Sequence, residues 1–382
     1  MNSTGGEPPR RGSRLITGVV AAGSVGLAVL GLAVAARAIQ PAARPSFAAT
    51  PASPTGAGSA GAVRKPAPRP RQAAAITLAF AGDVHFEGRV STRLEADPAT
   101  TLGPVAAVLS RADLAMVNLE TAITDGGTPE PKQFYFRAPA TAFTALKAAG
   151  VDVTTMANNH GADFGRSGLD DTLAAIAASR FPTVGIGRDA ARAYAPHYAD
   201  VRGHRVAVLG ASQIRDRTLA AWTAGDASPG IASAYSDRLV AAIRDARERA
   251  EVVVVYLHWG VEGRSCPSGE QRALAARLAE AGADAVVGTH AHLLLGGGWL
   301  GSTYVGYGLG NFLWWRDGAF SNDTGVLQLT FRGRRVVGAT LAPARIDGRG
   351  VPVPSTGETA ARIRAEFDGL RGCTGLSPTP SG

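Results

Sequence analysis

The stretch ITLAFAGDVHFEGRV, residues 76–90, holds an apolar run, Ile76–Ala81, that passes directly into Gly82-Asp83-Val84-His85. A short apolar run bounded by turn residues reads as a buried strand. The same design recurs four more times. Leu114–Val117 runs into Asn118-Leu119-Glu120, and Val151–Met156 into Asn158-Asn159-His160. Val252–Leu257 ends at His258-Trp259-Gly260, and Ala285–Gly288 at Thr289-His290-Ala291-His292. Five strands thus deliver Asp, Glu, Asn or His at their C-terminal ends, the edge where α/β sheets bind ligands. Five of the seven histidines fall in these positions; His197 and His204 do not. One such ending alone is commonly a turn or a helix cap. Five together point to a single site.

Outward from these endings, short apolar runs alternate with helical patterns. Strands are expected at Ile76–Ala81, Leu114–Asn118, Val151–Thr155, Val206–Gly210, Val252–Leu257 and Ala285–Val287. Helices are expected near Pro104–Arg111, Ala140–Ala149, Gly168–Ala178, Asp237–Arg249 and Gly269–Ala281. Strands separated by helices imply βαβ units and an α/β fold. After Ser302 the pattern becomes strands alone, at Thr303–Tyr307, Val326–Phe331 and Val336–Leu341, as if closing a second sheet. This domain is taken as residues 76–345. The remainder, 346–382, reads as a loosely ordered tail with one helix at Thr359–Leu370.

Before the domain the texture differs. Residues 1–14 are a basic segment with Arg10, Arg11 and Arg14, and Leu15–Ile39 is free of charge until Arg37. A spanning helix needs ~20 apolar residues. The flanking arginines then place residues 1–14 in the cytoplasm and the rest outside. The expectation is a single-pass signal-anchor at 15–39, with secretion after signal cleavage as the alternative. Residues 40–75, rich in Pro, Ala and Gly, read as a disordered tether. Residues 1–75 carry nine basic side chains and one acid, which accounts for the whole net charge of +8 and leaves 30 bases and 30 acids in the domain. A charge-neutral domain argues against nucleic acid as a partner. The two cysteines, Cys266 and Cys373, exclude a structural zinc knuckle. In an exported domain they can pair and pin the tail to the core; free thiols are the alternative.

Imidazole and carboxylate donors without thiolate suit Zn, Mn or Fe. Several histidines with at least two carboxylates suffice for two divalent metal ions, which together can clamp a phosphoryl group. A histidine beside them would serve as acid for the leaving group. The order Asp-x-His, acid, Asn-His, His, His-x-His resembles the calcineurin-like metallophosphoesterase superfamily. Its CapA branch, bacterial capsule synthesis of the poly-γ-glutamate type, is matched by AGDVHFEGRV, MVNLET, YFRAP, MANNHGADFGRSGLDDTL, HWGVEG, AGADAVVGTHAH and YGLGNFLW, over about residues 76–315. The resemblance implies a four-layer αββα sandwich. It gives Asp83, His85 and His292 to one metal and Asn159, His258 and His290 to the other. Glu120 takes the bridging position, where the wider superfamily has Asp, and His160 is the catalytic acid. Arg137 is a candidate for substrate binding as a planar fork; Asn158 and Asn311 are the other candidates. Of Trp259, Trp314 and Trp315, two are expected to serve packing. Residues 181–187 and 214–230 are expected to wall the cleft.

Two functions follow. One is a dimetal-dependent phosphoesterase acting outside the membrane on a phosphorylated substrate or cell-envelope polymer, alongside capsule-synthesis membrane proteins. The other is a non-catalytic assembly factor that binds an anionic polymer.

Overall fold

A computed structural model describes residues 74–316 and 321–381. The expectations for residues 1–14 and 15–39, and for all of 40–75 except its last two residues, lie outside the described residues. Among the described residues no helix is long and apolar enough to cross a membrane.

Alternation within the strands builds two sheets with distinct faces. In Ile76–Val84, Ile76, Leu78 and Phe80 join one apolar cluster while Ala79 and Ala81 join another. In Val252–His258, Val252, Val254 and Tyr256 join the first of these, and Val253, Val255 and Leu257 a third. Successive side chains of a strand point to opposite faces, so this period-two split makes the shared cluster the seam between two sheets. Helices Arg89–Ala96, Thr141–Ala148 and Gly165–Ser179 cover the outer face of the first sheet. Helices Asp237–Arg249 and Gly269–Ala281 cover that of the second. The result is a mixed α/β fold with helices outside two facing sheets.

The first sheet has eight strands, in the order Pro352–Pro354, Arg335–Ile346, Asp323–Arg332, Ile76–Val84, Leu114–Leu119, Val153–Thr155, Thr183–Val184, with Asn311–Leu313 beside the end of Ile76–Val84. The second has six, in the order Leu294–Leu300, Thr303–Leu309, Ala285–Thr289, Val252–His258, His204–Ser212, His197–Val201. In the first sheet Ile76–Val84, Leu114–Leu119, Val153–Thr155 and Thr183–Val184 run parallel, with antiparallel strands on the other side of Ile76–Val84; in the second the four central strands are parallel and the two outer ones antiparallel. Parallel central strands put all the strand ends that carry polar residues at one edge.

Helices Asp237–Arg249 and Gly269–Ala281 have the limits expected from sequence. The expected helix at Pro104–Arg111 is shorter: a 3-10 turn, Gly103–Val105, followed by Ala106–Leu109. Strand Leu294–Leu300 was not foreseen: three consecutive glycines weaken a strand pattern. Those glycines permit close approach of the C-terminal chain. A Cβ at Gly296 would lie 2.4 Å from the Arg371 amide nitrogen, and one at Gly298 would lie 2.6 Å from the Ser377 carbonyl oxygen. The stretch after Ile346, expected to be loosely ordered, packs as strand Pro352–Pro354 and helix Gly357–Leu370, whose Ile363 and Phe367 are buried in the seam cluster. A disulfide joins Cys266 to Cys373 and fastens this segment to the second sheet's loop.

Candidate metal centre

The two sheets bring their C-terminal edges together. Asp83 pairs in register with Asn118, Asn118 with Thr155, and His258 with Thr289, so the endings lie flush across adjacent strands. Gly82 allows the chain around Gly310 to close over this edge: a Cβ there would sit 1.9 Å from the Gly310 carbonyl oxygen, while the Asp83 amide donates to that oxygen at 2.9 Å. The Tyr256 hydroxyl donates to the Ala81 carbonyl, and the His290 amide donates to Asp83 Oδ2 at 3.2 Å, tying one sheet to the other.

His290 and His292 do not lie on an extended segment, as their spacing suggested. Both adopt positive φ, 95° and 57°. Non-glycine residues in that region cost on the order of 1–3 kcal/mol each and gather at functional sites. The turn still aims both rings into the cluster, with centroids 5.9 Å apart.

The polar atoms converge closely. His258 Nε2 lies 2.7 Å from Asn159 Oδ1, 3.0 Å from His290 Nδ1 and 3.4 Å from Glu120 Oε1. His292 Nδ1 is 3.6 Å from Asp83 Oδ2, and His160 Nε2 is 3.9 Å from Glu120 Oε1. Two triads could each hold a cation: Asp83, Glu120 and His258, and Glu120, His290 and His292. Glu120 belongs to both. Both of its carboxylate oxygens are buried without a hydrogen bond, and so is His85 Nε2. Buried polar atoms are normally satisfied. A carboxylate with two orphaned oxygens among imidazoles is what a divalent cation would satisfy, and the lack of thiolate fits a borderline or hard ion. His85 lies outside both triads; its Nδ1 accepts from the Glu87 amide, and its ring stacks on Phe136 with centroids 4.4 Å apart.

Burial governs the protonation of these groups. It pushes the Asp83 carboxyl up to about 7, against the hydrogen bonds from Asn118, Thr289 and His290. It raises Glu120 well above the carboxylate range, and neighbouring Asp83 adds to the effect. The same burial holds His85, His160, His258 and His290 well below the usual imidazole value and brings His292 down to about 4. Neutral imidazole is the metal-ligating form.

The three residues expected to bind substrate make the following contacts within the protein. Asn158 is turned inward: its Nδ2 donates to Asn118 Oδ1 and the Leu119 carbonyl, and its Oδ1 accepts from the His160 amide. Asn311 Oδ1 lies 2.8 Å from His292 Nδ1 and holds that ring. The Arg137 guanidinium lies over the Phe164 ring and reaches the Asp125 carbonyl. The reading from sequence missed Asn118, whose Nδ2 donates to Asp83 Oδ1 at 2.8 Å and contacts His258 Nδ1 at 3.2 Å. It also missed Asp163 and Lys132. Asp163 Oδ2 is 2.6 Å from His160 Nδ1 and accepts from the Phe136 amide at 2.7 Å; Lys132 Nζ is 2.5 Å from Asp163 Oδ1. Burial pushes Asp163 up to about 7, and the Lys132 ammonium pulls against it.

The mouth over His160 and His292 is walled by Phe136 and Trp314 and rimmed by Phe134, Trp315, Arg316 and Glu262. Residues 181–187 and 214–230 do not line it. Of the three tryptophans singled out, Trp259 serves packing, stacked on Tyr307 and donating to its carbonyl at 2.8 Å, and Trp314 is buried against the His85, Phe136 and His292 rings while also lining the mouth with Trp315.

The family described as "Bacterial capsule synthesis protein PGA_cap" matches residues 77–314. The chain is similar to the "Capsule biosynthesis protein CapA" of Bacillus anthracis, 33% identical over 229 residues, covering 59% of this chain and 55% of that one. It is similar to the "PGA biosynthesis protein CapA" of Bacillus subtilis (strain 168), 29% identical over 257 residues, covering 66% of this chain and 67% of that one. The match thus spans little more than half of the first relative and two thirds of the second. A hypothetical protein from Thermus thermophilus aligns with a TM-score of 0.47 at 18% identity, covering 71% of this chain and 99% of that one.

Proposed function

This chain belongs to the bacterial capsule synthesis (PGA_cap) family, and we propose that it is a dimetal phosphoesterase of the calcineurin-like kind serving an extracytoplasmic envelope polymer, poly-γ-glutamate being the polymer of its relatives' names. One observation carries the reading: Glu120, buried with both oxygens unpartnered, is shared by two cation-sized triads. Asp83 and His258 would complete one ion's site with Glu120, and His290 and His292 the other's. Asn159, against His258, and His85, with its buried unpartnered nitrogen, are the further donors. When bound, such a pair of cations supplies Lewis-acid polarisation of a phosphoryl group and balances its developing charge.

The chain's own residues do the rest. His160 Nδ1–H donates to Asp163 Oδ2, so the other ring nitrogen faces Glu120 and the mouth. Lys132 and the Phe136 amide hold Asp163 in that place. As a phosphate dianion arrives, its charge favours uptake of a proton from solvent at His160 Nε2, and the imidazolium then passes that proton to the departing oxygen and returns to the neutral ring. Phe136, stacked on His160 with centroids 4.1 Å apart, and Trp314 exclude water from that transfer. The domain works outside the cell, held to the membrane by residues 15–39 or released by signal cleavage.

The test is hydrolysis of p-nitrophenyl phosphate and its bis-ester by the metal-loaded protein. The wild type should turn over one of them. Asp83→Ala should abolish this, and His160→Ala should lower it by about 10²–10⁴-fold. An inert wild type that binds poly-γ-glutamate in a chelator-sensitive way overturns catalysis in favour of a metal-organised polymer-binding factor.

A further inference from the structure

The mouth gives a reading of the substrate beyond its phosphate, and it rests on the proposed phosphoesterase site. The cavity above His160 and His292 is about 40 Å³. A narrow mouth of this kind admits a phosphoryl head to the imidazoles and leaves the rest of the substrate toward the rim.

The rim is not an ordinary polar surface. Phe134, one of five large apolar side chains exposed among the described residues, lines it beside the half-buried Trp315. Concentrated exposed apolar surface marks binding sites. The Arg316 guanidinium lies over both rings of this rim, its carbon 5.3 Å from the Phe134 centroid and 5.2 Å from that of Trp315. Contact with ring faces leaves guanidinium N–H donors for a planar anion. Among the described residues Arg316 makes no ion pair or hydrogen bond. The nearby carboxylate, Glu262, feels the Arg316 charge without pairing with it and is within 4.0 Å of His292.

From this geometry we infer that the Phe134–Trp315–Arg316 rim is a specificity subsite for a leaving group that carries a ring and, next to it, a carboxylate or second phosphate. The ring lies against the aromatic faces and the anion against the guanidinium edge. A plain alkyl phosphate fills the mouth and leaves the rim bare.

Three non-hydrolysable probes separate the parts: methylphosphonate, phenylphosphonate and 4-carboxyphenylphosphonate, titrated calorimetrically into the metal-loaded full chain. The wild type should bind them with rising affinity, the ring and the carboxylate each adding on the order of tenfold. Arg316→Gln, at an exposed position, should erase only the carboxylate's increment; Trp315→Leu should weaken the ring's. Equal affinity for all three probes, or an Arg316→Gln variant that keeps the carboxylate preference, overturns the subsite while leaving the metal site standing. Binding of none of them by a protein shown to hold metal overturns the phosphate reading, and the subsite with it.

Discussion

Glu120→Gln separates the two consequences of a metal site, because the structure assigns them different magnitudes. Both oxygens of Glu120 are buried without a hydrogen bond. Burial and the neighbouring Asp83 carboxyl favour its neutral form when no cation is present. The amide has nearly the same shape, so the metal-free protein forfeits no hydrogen bond and should change by less than about 1 kcal/mol. It should even gain slightly, since a buried acid beside Asp83 is removed. The metal-bound state is different. At a free metal concentration about a hundred times the wild-type Kd, binding adds about 2.7 kcal/mol to stability. Loss of the shared ligand should weaken binding by about a hundredfold or more, given that even outer-shell partners are worth 10–100-fold. The same metal concentration then adds only about 0.4 kcal/mol. At about 2–4 °C per kcal/mol for a domain of this size, the metal-induced rise in Tm should fall from roughly 5–10 °C to about 1 °C. Differential scanning fluorimetry with and without chelator reads both numbers. A variant that keeps the full metal-induced rise would refute the shared-ligand role. One already several kcal/mol less stable in chelator would show that Glu120 is held by partners other than a cation.

Asn118→Ala should lower metal affinity about 10–100-fold with little loss of fold, since its Nδ2 orients Asp83 and touches His258; metal titration checks it. Metal binding should weaken as pH falls below about 7. Asp83 carries a proton there that the cation must displace, so affinity rises with pH and binding releases protons, measurable by calorimetry in buffers of different ionisation enthalpy. Cys373→Ser opens a loop closed over a sequence separation of 107 and should cost about 2–4 kcal/mol in denaturant unfolding without changing metal content.

Much of the fold was legible because its strands alternate so plainly. Val252–Val255 places β-branched residues on both faces of a strand buried on both sides, and helix Asp237–Arg249 begins at a Ser236 cap that the sequence advertises. The strand endings were legible for the same reason: polar residues stand out where an apolar run stops. What stayed hidden depends on contacts distant in sequence. Lys132 and Asp163 sit in loops, and only the folded chain brings them beside His160. Asn118 read as an ordinary strand end until its amide was seen against Asp83. The strand through Gly296–Gly298 went unassigned because nothing local reveals that the backbone at Arg371 and Ser377 packs against them. That Phe164 lies beneath the Arg137 guanidinium is likewise visible only in the folded chain.

Metal content of the purified protein, by mass spectrometry after supply of Mn, Zn and Fe and removal of unbound ions, tests the central claim most directly. Two ions per chain in the wild type, falling in Asp83→Ala and further in Glu120→Gln, is the result predicted from strand ends that meet around one shared carboxylate. A folded wild type that retains no metal would contradict it.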